Sequence, residues 1–178
     1  FQAMSSQSFY NIAFKGLSQG KHIFEYEIDG TFFSEFEGSV VDEGNVNVRL
    51  VLEKQSTLLI LNFDFEGQVK VQCDRCLEMY DQAIKGSNQV FVKFGDKEFE
   101  DGDDVIWVSA NDNQLNVAQL IYEFICLAVP IKRIHAEDEN GNSTCNPEMI
   151  EKLDKYIVKN EGKNNPAWND LKKLLNNE

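Results

Sequence analysis

An α+β fold is predicted by a change of period along the chain. From Phe9 to about Gln72, apolar and polar residues alternate as in half-buried strands. From Val117 onward, apolar residues recur at helical spacing. Thirteen phenylalanines in a chain that is 42 % hydrophobic supply a substantial core. An alternating sheet must cover its apolar face, so the expectation is a mostly antiparallel twisted sheet or partly closed β-barrel, followed by two or three packed C-terminal helices. The 178 residues suit a single domain, strand-rich over 4–110 and helical over 116–178. Phe1-Gln2-Ala3, ahead of Met4, reads as the remnant of a cleaved tag.

Taken in order, Phe24, Tyr26 and Ile28 alternate with Glu25, Glu27 and Asp29. After Gly30, the segment from Thr31 to Val41 is expected to resume as a strand through Phe32, Phe36 and Val40. Glu43-Gly44-Asn45 signals a turn, so the strand from Val46 to Glu53 should pair back on that segment as a hairpin. Leu59, Leu61, Phe63 and Phe65 point one way in the next strand, while Leu58 and Ile60 indicate burial on both faces and a central position. Val69 and Val71 lead into the cysteines, and Gln89 to Phe94 reads as another short strand. The acidic run from Lys97 to Asp104 lacks the spacing of a calcium loop and reads as a solvated one. Val105 to Val108 is a last strand or edge.

Val117, Leu120, Ile121, Phe124, Ile125 and Ala128 share one helical face, with Asn116 as N-cap and Pro130 as stop. If that stripe is buried, Phe124→Ala should cost about 3–5 kcal/mol. A polar loop follows from Ile131 to Thr144. Asn146-Pro147 opens a second helix through Met149, Ile150, Leu153 and Ile157. Asn165-Pro166 opens a short third one through Trp168, Leu171, Leu174 and Leu175.

Seventeen basic against thirty acidic residues leave a net charge of −13, which disfavours direct nucleic-acid binding and favours basic protein partners. Neither a membrane span nor an export leader is expected. Four cysteines without such a leader point to the cytoplasm and to metal-binding or packing roles.

Cys73-Asp74-Arg75-Cys76 lets two sulfurs meet one ion across a tight turn, half of a tetrahedral zinc site. His135 and Cys145 would complete a Cys₃His set holding a structural zinc. Fifty-eight residues lie between Cys76 and His135, so spacing leaves an ordinary loop histidine and a packing cysteine as an equal alternative. A redox pair would more commonly open a helix than follow strands. Cys126 reads as a packing residue and His22 as an ordinary surface residue. Arg75, Lys132 and Arg133 are at hand to offset the charge of three thiolates.

Cys73-x-x-Cys76-Leu77, then Leu120-Ile121-Tyr122-Glu123 running on to Leu127-Ala128-Val129-Pro130, then His135 and Cys145, resemble the YceD-like family. These are bacterial and plastid proteins associated with accumulation of large-subunit ribosomal RNA. Asn165-Pro166-Ala167-Trp168 with Leu171-Lys172-Lys173-Leu174 resembles the closing segment of that family, and the resemblance runs from about Val69 to Leu175. It departs at Ala167, where an arginine often follows the proline. The Cys-x-x-Cys pair is not universal in the family, so metal is not essential to the fold everywhere. The resemblance implies a non-enzymatic role in ribosome biogenesis. With the charge, it implies binding to a ribosomal protein or assembly factor. A zinc-dependent enzyme or a Cys-x-x-Cys redox sensor is the alternative; no catalytic triad, phosphate loop or dinucleotide glycine pattern supports an enzyme.

Overall fold

The computed structural model describes residues 6–95 and 104–156. The tag-like start, most of the acidic run, Ile157 and the third helix expected from Pro166 lie outside the described residues. The chain divides into two compact units, Phe1–His135 and Ala136–Glu178.

The first unit is built on a five-stranded open sheet: β2 (Gly20–Ile28), β3 (Gly44–Lys54), β4 (Leu58–Gln72), β5 (Met79–Phe94) and β6 (Val105–Val108), paired in that order. Every pairing is antiparallel except β5 with β6, which is parallel. A two-residue ladder joins β1 (Asn11–Ile12) to β7 (Leu115–Asn116). The fold is therefore α+β with an open sheet, not a closed barrel.

The alternation sets the register of the sheet. Val48, Leu50 and Leu52 on β3 face Phe65, Phe63 and Leu61 on β4, and all six are buried. A one-residue slip would turn each of them into solvent, so pairing and burial enforce one another. β4 lies between β3 and β5, with Leu58 and Ile60 half-buried on its other face, which accounts for its apolar excess.

Two segments depart from the periodic reading. Thr31 to Val41 is not a strand: Gly30–Phe33 forms a short helix, α1. The Asp29 carboxylate accepts the N–H groups of Thr31 at 2.9 Å and Phe32 at 3.4 Å, and this cap starts a helical turn. The adjacent Phe32 and Phe33 are both buried, which a half-buried strand cannot achieve because neighbours point to opposite faces. With that segment helical, β3 pairs instead with β2, from Gly20↔Lys54 to Ile28↔Val46. The second departure is β5, which begins ten residues before Gln89 and pairs with the whole of β4.

Helix α2 (Ala118–Ala128) has Val117 and not Asn116 at its N-cap; Asn116, one residue earlier, accepts the Ala118 N–H on its Oδ1 at 2.9 Å, and the helix ends at the extended Val129 that Pro130 requires. Ala118, Ile121 and Ile125 are buried. Phe124 is half-buried at the margin of this face, its ring edge-on to Phe63 at 5.2 Å. In the second unit, α3 (Pro147–Tyr156) has Asn146 Oδ1 accepting the N–H of Glu148 at 2.9 Å.

At Gly67 on β4 the backbone of β3 leaves no room for a side chain. A methyl group there would collide with the Asn45 carbonyl oxygen and stand 2.6 Å from Val46 Cα. Both obstacles are backbone, so the strands would have to part. Gly67→Ala is expected to cost about 1–3 kcal/mol in urea unfolding. Gly16→Ala, with nothing within 4 Å of the added carbon, serves as the control. Equal midpoints for the two variants would show that the sheet yields freely at this point.

Candidate metal centre

The cysteine pair forms the tip of the β4–β5 hairpin. The Cys73 N–H donates to Glu78 O at 2.9 Å, and the Leu77 N–H donates back to Cys73 O at 3.0 Å. Gln72 Nε2 donates to Leu77 O at 3.0 Å, fastening the same turn from its side. Closing it forces Leu77 to a φ of 64°, a left-handed conformation that costs a side-chain-bearing residue about 1–2 kcal/mol. Within this turn Cys73 and Cys76 are buried, 0 % and 2 % exposed. The Arg75 N–H donates to Cys73 Sγ at 3.4 Å, as a backbone amide does to a thiolate.

Histidine reaches the pair from the chain beyond α2. The Asp74 N–H donates to Arg133 O at 2.7 Å, and the Arg133 N–H donates to Asp74 Oδ2 at 2.7 Å. The Arg133 guanidinium adds a bond to Asp74 Oδ1 at 3.2 Å. Two residues later, His135 Nδ1 lies 3.5 Å from Cys76 Sγ, and its ring packs on Tyr80 with centroids 4.6 Å apart. A zinc tetrahedron with Zn–S of about 2.3 Å and Zn–N of about 2.0–2.1 Å has an S–N edge of about 3.6 Å. The observed separation fits that edge, with Nδ1 as the ligand atom.

Burial alone would push the Cys73 thiol up. The N–H groups of Cys76, Arg75 and His135, with the His135 side chain, outweigh it and hold the thiol down at about 6. A thiol of that kind is a thiolate at neutral pH, the form that binds metal.

In the second unit, Asp138 organises the loop before α3, accepting the N–H groups of Asn142 at 2.7 Å and Asn140 at 2.9 Å. Thr144 Oγ1 donates to Ala136 O at 2.6 Å. Cys145 is buried although residues 136–144 are all exposed. One ligand atom from each of Cys73, Cys76, His135 and Cys145 lies within 4.8 Å of the others, so these four could hold a metal ion. The donor set of three buried sulfurs and one half-buried imidazole suits zinc. Four protein ligands would leave no open position for substrate.

Cys126 and His22 stand outside the group. Cys126 is half-buried in α2, and burial pushes its thiol up. His22 Nε2 lies 2.8 Å from Ser18 O. Of the cations expected near the thiolates, Arg133 is engaged by Asp74. Periodicity and ligand chemistry did not single out Asp74 or Tyr80; the only available signal was a short carboxylate beside Cys73.

Fold and site together define a class: an α+β protein whose hairpin tip carries a metal-competent cysteine–histidine group. The family model described as "Large ribosomal RNA subunit accumulation protein YceD" matches residues 61–175, well over half the chain, and the protein belongs to this family. That span contains all four of the grouped residues. No curated protein matches the chain, and neither does any solved structure. The family is named for accumulation of an RNA and not for a reaction. Among the described residues, no helix is long and apolar enough to cross a membrane.

Proposed function

We propose that this protein is a non-catalytic, cytoplasmic factor in large-subunit ribosome biogenesis. In this reading it acts by binding a ribosomal protein or an assembly factor, and Cys73, Cys76, His135 and Cys145 hold one structural zinc ion. The observation that carries the reading is the family match over residues 61–175. The net charge of −13 supports a basic protein as the direct partner, because the field that repels RNA phosphates draws in lysine- and arginine-rich surfaces. The closed Cys₃His set supports a structural ion and not a reaction centre. Affinity capture from cell extract at low salt should recover large-subunit ribosomal proteins or precursor particles. Recovery of neither would sink the reading.

The two buried cysteines facing one hairpin tip leave one competing function, a redox sensor using Cys73 and Cys76. Thiol trapping after mild peroxide separates the two. A zinc-holding site should keep both thiols unmodified until the metal is removed, whereas a sensor should lose two free thiols at once.

A further inference from the structure

We infer that Asp74 is a positioning residue for the metal centre, holding His135 at the cysteine pair through Arg133. The inference rests on the metal reading above and deepens it. Asp74 directly follows Cys73 and stands two residues before Cys76, while Arg133 stands two residues before His135. A single pair of residues thus ties three of the four ligands together.

The tie is more than a surface ion pair. Asp74 engages both polar groups of the Arg133 backbone: its N–H donates to Arg133 O at 2.7 Å, and its side-chain Oδ2 accepts the Arg133 N–H at 2.7 Å. The guanidinium contact to Oδ1 at 3.2 Å is the third bond. No helix or strand runs through Val129–Ile134, so regular structure does not fix where His135 lies. This clip holds it, alongside the Tyr80 ring 4.6 Å from the imidazole and the bond from the His135 N–H to the Cys73 sulfur. A carboxylate also carries a negative charge toward thiolates, an unfavourable neighbour unless it has a task. Its pairing with Arg133 supplies both the task and the neutralisation. Groups one bond removed from metal ligands commonly hold a ligand's orientation in this way.

The Asp74 and Arg133 side chains are 39 % and 38 % exposed, so substituting either leaves no cavity in the core. Cobalt(II) titration of the full chain, followed by thiolate-to-cobalt absorption, reads affinity directly. Asp74→Ala should weaken cobalt binding roughly 10–100-fold. Asp74→Asn, which retains an acceptor for the Arg133 N–H, should recover part of the loss. Arg133→Ala, which retains both backbone-linked bonds, should lose least. The decisive readout is a double-mutant cycle: in a His135→Ala background, Asp74→Ala should weaken binding no further, because the ligand it positions is gone. Undiminished affinity in Asp74→Ala, or a full additional loss in the His135→Ala background, would overturn the positioning role. Failure of the unsubstituted protein to take up cobalt would overturn the metal reading itself, and this inference with it.

Discussion

Chelating the zinc ion proposed for the four-residue group is expected to abolish hydrogen-exchange protection over residues 136–156 while β3, β4 and β5 keep theirs. The reason lies in what each unit has to hold it together. The first unit buries Leu50, Leu52, Leu59, Leu61 and Phe63 completely, each contributing about 1.5–3 kcal/mol. In the second unit no residue of α3 is buried, and Cys145 is the only buried residue among those described. Its hydrogen bonds around Asp138 are solvent-exposed, and such bonds contribute only about 0.5–1.5 kcal/mol each. An ion bound at a free concentration about 1,000 times its Kd adds about 4.1 kcal/mol, roughly 1,000-fold in protection. Exchange measured by mass spectrometry on zinc-loaded and chelated protein at one pH reads this directly. Identical protection of 136–156 in both samples would show that the order of this segment owes nothing to metal.

Phe63→Ala should produce the largest loss of any single core truncation at this sheet–helix contact, about 3–5 kcal/mol in urea unfolding. Phe63 is fully buried on the central strand, opposite Leu50 on one side and Asn88 on the other. Its ring meets Phe124 edge-on at 5.2 Å. Periodicity assigned a loss of this size to Phe124, but that side chain is only half-buried and surrenders less contact when truncated. Phe124→Ala is therefore expected to cost roughly half as much, with about 0.5–1.5 kcal/mol of coupling between the two rings. A larger loss at Phe124 than at Phe63 would mean that the helix and not the strand anchors the contact.

This displacement from Phe124 to Phe63 illustrates what a periodic pattern conveys. It names the face of an element, and it is silent on which residue of that face lies deepest. β3 and β4 were legible because each buries a regular alternate set against a neighbour. β5 was nearly illegible: only Ile84, Val90 and Val92 are buried along it, and the polar stretch from Lys85 to Gln89 interrupts the alternation. Its length comes from the pairing partner β4, which is a tertiary effect that local sequence does not record. α1 was misread because the Asp29 cap overrode an alternation that Phe32 and Phe36 only resembled.

The candidate site was legible as chemistry and not as geometry. Cys73, Cys76, His135 and Cys145 were recognisable as a zinc-type ligand set, yet no local rule carries a histidine across fifty-eight intervening residues. The β4–β5 hairpin brings the pair to a tip, and the Asp74–Arg133 bonds fasten the returning chain there. Leu77 was legible only as a member of a motif. Its left-handed backbone follows from closing the turn, and a leucine gives no warning of that.

The separation of 59 positions between Cys76 and His135 also orders events on the translating ribosome. Synthesis at about 5–20 residues per second makes the cysteine pair roughly 3–12 s before its histidine. Throughout that interval the nascent chain holds the cysteine pair without His135 and Cys145, the other two members of the group. A growing chain in this state can at most borrow an ion loosely or share one with another thiol carrier. In the proposed zinc reading, stable capture must wait for the last third of the polypeptide, which makes metal loading a late step of the protein's own biogenesis.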